Sequence, residues 1–214
     1  VDAAKGFSGG FVRRRSVKSM QRFYNRLYPF YGIIEKSLDA TFERIAAECI
    51  ATIPEVRRKS ALEYACGTGL LTFKIAPYFN SVVARDLSQK MLASARRRTG
   101  TISANIQFLQ GNLLEIDEAF ETYDWVFVAC GLHLFAPEQG TAILSRLLGV
   151  SREGVVIVDH IRRWNPVSAL IEWIEGSHYD TFVKTNFREV AECIRARAFE
   201  EQLIGKCSVM IFRK

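Results

Sequence analysis

The residues best suited to chemistry in this chain lie in four short segments, and the densest is Glu63-Tyr64-Ala65-Cys66-Gly67-Thr68-Gly69. A carboxylate followed by small residues makes a turn where backbone can come close to a ligand. Asp86, in Ala84-Arg85-Asp86-Leu87-Ser88, is an acid placed where it would meet the hydroxyls of a ribose. A carboxylate can accept from two hydroxyls at once, each bond charge-assisted. Gly111-Asn112-Leu113 offers an amide oxygen able to accept from an adenine amino group. Ala129-Cys130-Gly131-Leu132-His133 ends on an imidazole, which titrates near neutrality, so His133 is the candidate catalytic base.

Two common glycine-turn chemistries are excluded. A dinucleotide fingerprint, GxGxxG, needs a third glycine so that helix and strand pack closely; here Thr72 stands three residues past Gly69. A phosphate-cradling P-loop needs Gly-Lys-Ser/Thr after its glycines, and that is absent too. His160 beside Asp159, Trp164, His178 and Tyr179 are candidates to line an acceptor pocket. Cys66 and Cys130 lie in the turns but have no sequence-adjacent group to activate a thiolate.

The elements that must hold these segments follow from hydrophobic period and turn residues. Residues 16–52 read as helical in two pieces punctuated by Pro29 and Gly32. Strands are expected at 61–64, 81–85, 106–109, 124–130 and 155–159. Helices are expected at 70–78, from Ser88, which can cap, to 98, and at 141–148. Apolar strands separated by helices imply a parallel sheet covered on both faces. Residues 166–174 and 187–198 read as helices, and 201–204 and 208–212 as strands. The two-residue link Gly205-Lys206 admits only an antiparallel hairpin. In such a sheet ligands bind beyond the carboxyl ends of the strands, and all four segments fall there.

At 214 residues, 49% hydrophobic and 24% charged, the chain suits one α/β domain with its own core. Five scattered cysteines with no CxxC pair argue against a disulfide framework or a zinc site, and no metal is expected. A reducing, cytoplasmic setting fits. No apolar run approaches the ~18 residues of a membrane span, and residues 1–10 lack a signal-peptide core. The net charge of +6 rests on short arginine clusters, among them Arg96-Arg97-Arg98. Solvated helix faces explain such clusters, but a basic surface also attracts nucleic acid.

Glu63-x-Ala65-x-Gly67-x-Gly69 resembles the first motif of class I S-adenosylmethionine (SAM)-dependent methyltransferases. With Asp86-Leu87-Ser88-x-x-Met91-Leu92 it is especially similar to the small-molecule branch related to ubiquinone and menaquinone methyltransferases. The resemblance covers roughly residues 23–212. It implies a Rossmann-like, seven-stranded, mostly parallel sheet with helices on both faces, an antiparallel C-terminal hairpin and an N-terminal helical lid. Residues 1–15 would be a flexible N-terminus and 16–214 a single domain, with the lid at 16–55 and the core at 60–214.

The same resemblance implies roles. Glu63, Tyr64, Ala65, Gly67 and Gly69 would surround the methionine and ribose of SAM. Asp86 would hold the ribose, with Leu87 and Met91 against the adenine and Asn112 and Leu113 along its border. Cys130 would contribute backbone near the sulfonium, and Tyr24 and Tyr28 match aromatic positions of the lid. The chain departs from the pattern at Ala65, for the usual glycine, and at Asn112, for the usual aspartate. Arg85 precedes the ribose acid, and Ser151-Arg152-Glu153-Gly154 stands in place of a Pro-Gly turn before the fifth strand.

The implied activity is transfer of a methyl group from SAM to a small, partly apolar acceptor by in-line displacement, leaving S-adenosylhomocysteine (SAH). The alternative is a nucleic-acid-directed methyltransferase or an RNA-binding protein using the basic surface. Against it, the Asn/Asp-Pro-Pro-aromatic segment typical of base-modifying enzymes is replaced by Ala129-Cys130-Gly131-Leu132, and a Pro-Cys nucleophile pair is absent.

Overall fold

The computed structural model describes residues 16–99, 104–116, 122–160, 162–163 and 166–214. The N-terminal segment 1–15, expected to be flexible, lies outside the described residues. A long helix α1 (Val17–Ala51) precedes β1 (Ser60–Tyr64), α2 (Leu70–Ile75), β2 (Ser81–Asp86), α3 (Gln89–Thr99) and β3 (Ile106–Gln110). Then come β4 (Tyr123–Ala129), α4 (Pro137–Val150), β5 (Ser151–His160), α5 (Pro166–Glu175), α6 (Tyr179–Phe182), α7 (Phe187–Cys193), β6 (Ala198–Ile204) and β7 (Cys207–Arg213).

One sheet carries all seven strands in the order β3-β2-β1-β4-β5-β7-β6. The first five strands are parallel, and β7 is antiparallel to both β5 and β6. The order reverses between β1 and β4, so the loops after these two strands diverge and leave a crevice, the place where such sheets bind ligands.

The period-2 alternation of β4 divides the core. Trp125, Phe127 and Ala129 point to one face, where Phe42, Ile45 and Cys49 of α1 and Leu71 and Ile75 of α2 cover them. Val126 and Val128 point to the other, against Leu144 and Leu147 of α4. All of these strand and helix residues are buried, so the site at the strand ends rests on a filled interior. Local capping fixes where elements begin: Ser16 accepts from the Ser19 amide at 3.3 Å and starts α1, and Ser88 Oγ accepts from the Met91 amide at 3.2 Å and starts α3.

Several boundaries differ from the sequence reading. Residues 17–51 form one helix rather than two pieces, with Pro29 inside it. Proline removes a single intrahelical donor, and anchors on both sides hold the helix together. Phe42, Ile45 and Cys49 are in the core, while Gln21 Nε2 donates to the Leu87 carbonyl at 2.9 Å. Ser151–Gly154 is not a turn but the start of β5. The helix expected to reach residue 198 stops at Cys193, because Arg195 takes a left-handed backbone (φ 59°) that turns the chain into β6.

Gly154 shows how tightly β5 is seated. A Cβ there would lie 2.6 Å from the Phe212 carbonyl oxygen and 2.9 Å from the Trp125 ring. Backbone on one side and a buried indole on the other leave nothing that can move cheaply. Gly154→Ala is therefore expected to destabilise the protein by about 1–3 kcal/mol in chemical denaturation. An unchanged midpoint would show that this part of the sheet is looser than the packing indicates.

Candidate functional site

The turn after β1 is built from left-handed backbone. Ala65 (φ 56°), Gly67 (φ 55°) and Gly69 (φ 88°) all have positive φ, a conformation costing an L-residue roughly 1–2 kcal/mol and glycine little. Ala65 accepts that cost at the position where glycine is usual. Its methyl group fits because the neighbouring turn has none: a Cβ on Gly131 would lie 2.9 Å from the Ala65 Cβ. Between the ends of β1 and β4 there is room for one methyl, not two. Cys130, just before Gly131, is also left-handed (φ 49°), and its amide is tied to the Val158 carbonyl at 2.7 Å.

Asp86 joins the β1 and β2 turns. Its Oδ2 accepts from the Gly67 amide at 2.8 Å and its Oδ1 from the Ser88 amide at 2.7 Å. Burial raises its pKa, although both amide bonds oppose the shift. Each oxygen keeps a second lone pair for an outside donor. Leu87 is half-buried, and Met91 and Leu113 are buried. Asn112 Oδ1 accepts from the Leu114 amide at 3.1 Å, which holds its side chain within its own turn.

Glu63 is fully buried on β1. Its Oε2 accepts from Thr72 Oγ1 at 2.5 Å, while Oε1 has no hydrogen-bond partner among the described residues. Thr72, which the sequence shows only as the missing third glycine, is thus the residue that orients the acid. Burial drives the Glu63 pKa up to about 8; the Thr72 bond opposes this and the nearby Asp86 charge adds to it. Tyr64, next along β1, faces the α4 side of the sheet and is buried there.

The helix α1 lies across this crevice. Besides the Gln21 bond to Leu87, Ser88 Oγ donates to Asn25 Oδ1 at 2.6 Å. Tyr24 donates to Glu175 on α5, so α1 is tied on one side to the β2 turn and on the other to α5. Tyr28 points toward α3, where Arg97 donates to its hydroxyl at 2.9 Å. The rest of that arginine cluster is also engaged. Arg96 donates to the Phe108 carbonyl at 2.7 Å, and Arg98 pairs with Glu35 at 3.2 Å.

His133 sits on a short helical turn after β4 with 2% of its surface exposed. Its Nδ1 is 2.6 Å from Asp159 Oδ1, and its Nε2 is 3.2 Å from Glu172 Oε2. The other Asp159 oxygen accepts from the Leu132 and His133 amides at 3.0 and 3.2 Å. His160 Nε2 is 2.9 Å from Glu172 Oε1, and the two imidazoles stack edge to face with centroids 4.6 Å apart. Burial opposes charge on His133, but Asp159 and Glu172 outweigh it and hold its pKa well above the ordinary value. The same pairing holds Asp159 and Glu172 low against burial, whereas burial raises Glu175. Tyr179 is buried with its ring 5.8 Å from His160, and the His178 amide donates to the His133 carbonyl at 2.8 Å. Trp164 lies outside the described residues. Burial raises the thiols of Cys66 and Cys130 far above their ordinary range, which leaves no thiolate nucleophile at either.

Sequence reasoning thus named His133, His160, His178 and Tyr179, which do come together. It missed Glu172, Glu175 and the bonding role of Asp159. One signal was available: two acids at helical i, i+3 spacing in the otherwise apolar run Ala169-Leu170-Ile171-Glu172-Trp173-Ile174-Glu175.

Comparison with known proteins adds independent information. Residues 61–154 match a family described as a methyltransferase domain. A demethylmenaquinone methyltransferase of Parafrankia sp. is 30% identical over 67% of this chain and 62% of its own length. Its counterpart from Deinococcus radiodurans is 28% identical over 61% of this chain and 56% of its own length. The chain thus spans little more than half the length of these relatives. In fold, it is similar to the SAH-bound magnesium protoporphyrin IX methyltransferase of Synechocystis PCC 6803. The TM-score is 0.67 at 12% identity, over 91% of this chain and 99% of the other.

The buried Glu63 gives a pH-dependent consequence. Its pKa is raised on folding, so the folded state binds the extra proton, and this group's stabilisation is largest below about pH 4.5 and falls as pH rises toward 8. Glu63→Gln removes that dependence. Its melting temperature relative to the parent should rise between pH 5.5 and pH 8.5, by the equivalent of about 2–4 kcal/mol. An equal difference at both pH values would contradict a protonated Glu63.

Proposed function

We propose that this chain, which belongs to the class I SAM-dependent methyltransferases, transfers a methyl group from SAM to a small, partly apolar acceptor. The observation that carries the reading is the Asp86 carboxylate, fixed by the Gly67 and Ser88 amides at 2.8 and 2.7 Å at the carboxyl ends of β1 and β2.

The residues present fit the cofactor. Glu63 has a buried carboxylate oxygen without a partner, suited to the ammonium of a methionine. The left-handed turn Ala65–Gly69 opens backbone beside it. Asp86 would accept from the ribose hydroxyls with its remaining lone pairs. Leu87, Met91 and Leu113 would give the adenine an apolar bed, with Asn112 at its edge and the Cys130 backbone toward the sulfonium. When bound, SAM supplies an electrophilic methyl with its own leaving group. The protein's task is then to align the acceptor and exclude water. The helix α1, tied to Leu87, Ser88 and Glu175, serves that exclusion through Tyr24 and the residues around it, with Tyr28 holding it to α3.

The acceptor side is the wall formed by His133, His160 and Tyr179, with His178 bonded to it through its amide. Leu170, Trp173 and Ile174 are large apolar side chains 54–66% exposed on α5, the helix whose Glu172 reaches this wall, and the similarity to demethylmenaquinone methyltransferases favours a partly apolar acceptor. Where the acceptor carries a proton that must leave, His160, the partly exposed imidazole at the edge of this cluster, is the group positioned to take it, since the proton on His133 is held between Asp159 and Glu172. No helix among the described residues is long and apolar enough to cross a membrane. The bonded Arg96–Arg98 run weighs against the nucleic-acid alternative.

Calorimetric titration with SAH tests the reading. The parent protein should bind one SAH per chain, and Asp86→Ala, still folded by circular dichroism, should bind it at least tenfold more weakly. No binding by the folded parent at millimolar SAH would refute the proposal. Salt-sensitive retention on RNA without SAH binding would favour the alternative instead.

A further inference from the structure

The cluster at the carboxyl ends of β4 and β5 is more elaborate than a single base requires. Two imidazoles and three carboxylates come from three separate places: His133 after β4, Asp159 and His160 at the end of β5, and Glu172 and Glu175 one turn apart on α5. The ligating atoms of His133, Glu172 and Glu175 lie within 4.8 Å of one another, as do those of His133, Asp159 and His160.

The hydrogen-bond arrangement sorts these groups into two roles. Asp159 is a fixed acceptor: besides His133 it receives the amides of Leu132, His133 and His160. An ionised carboxylate cannot donate, so His133 Nδ1 carries the proton in their 2.6 Å contact. The other ring nitrogen, Nε2, is aimed into the cluster, where a bound metal ion would take the place of its proton. There, His133 Nε2 and Glu172 Oε2 face each other at 3.2 Å. Both atoms are fully buried, and neither has a properly aligned hydrogen bond. Leaving two buried polar atoms unbonded is costly. One small cation set off the line between them would satisfy both. At metal–ligand distances of about 2.0–2.2 Å, adjacent tetrahedral ligands stand roughly 3.3–3.6 Å apart. The His133–Glu172 contact at 3.2 Å is close to that spacing, and His160 Nε2 faces the other oxygen of the same carboxylate at 2.9 Å.

We propose that His133 Nε2, His160 Nε2, Glu172 and Glu175 form a binding site for one divalent transition-metal ion, with Asp159 as the outer carboxylate that orients His133. Mixed imidazole and carboxylate donors suit Zn2+, Co2+ or Mn2+ rather than Ca2+ or Mg2+, and a carboxylate on the distal nitrogen is the usual support of a metal-bound histidine. The five cysteines play no part in it. Metal binding here does not depend on the methyl-transfer reading. Only its use toward an acceptor would, because the cluster borders the acceptor wall.

The test uses the whole chain, stripped with a chelator and titrated with Co2+ while visible absorption is followed. About one Co2+ per chain should bind, showing ligand-field bands without thiolate charge transfer, and Zn2+ should displace it. Glu172→Gln and His160→Gln should each weaken Co2+ binding at least tenfold. His160 is at the partly exposed edge of the cluster, so its variant guards against simple unfolding, checked by circular dichroism. SAH titration run in parallel separates this site from the cofactor site. The proposal is overturned by a parent protein that takes up no stoichiometric Co2+ or Zn2+, by thiolate bands that assign the ion to cysteine, or by variants that bind as the parent does.

Discussion

The Asp86 carboxylate is the constraint on which the crevice depends. Two backbone amides, Gly67 from the first turn and Ser88 from the second, converge on its two oxygens. Charge-assisted bonds of this kind are short and strong, and these two lock together loops that would otherwise move independently. Ser88 passes the constraint on: it caps α3 through the Met91 amide and donates to Asn25 of α1. A single acid therefore positions the β1 turn, the start of α3 and the N-terminal helix. The same carboxylate keeps lone pairs for a ligand, so the residue that shapes the site is also suited to bind in it.

Around this tie, the crevice is asymmetric. On the β1–β2 side the polar atoms are few and specific: the Asp86 carboxylate, the buried Glu63 and backbone in left-handed turns. On the β4–β5 side they are dense and mutually paired, with His133 and His160 held among Asp159, Glu172 and Glu175. The Ala65 methyl against Gly131 marks the boundary between the two halves. Packing at that boundary leaves no slack, because both turns sit on strands whose core faces are fully buried.

Much of this could be read from the sequence, for identifiable reasons. The apolar strands and glycine turns carried the sheet, and Gly205-Lys206 carried the closing hairpin. Ser88 was legible as a cap because capping is local chemistry. The misread boundaries have equally physical causes. Pro29 looked like a break because its effect is local, whereas the anchors that keep α1 continuous, Gln21 to Leu87 and Cys49 in the core, are distant in sequence. Arg195 gave no warning of a left-handed turn, since arginine has no preference for one. The acidic partners of His133 come from β5 and α5, residues 26 to 39 positions away, and nothing local links them. Thr72 is the sharpest instance: in the sequence it only ruled out a dinucleotide site, and in the fold it is the hydroxyl that holds Glu63.

The central claim is that one ligand is held jointly by the turns after β1, β2 and β4. A crystal structure of the chain with SAH tests it most directly. The account predicts the ribose hydroxyls on Asp86, the methionine portion beside Glu63 and the Ala65–Gly69 backbone, and the sulfur facing Cys130 and the His133–His160 wall. SAH bound elsewhere, or bound with Asp86 making only its Gly67 and Ser88 contacts, would contradict it.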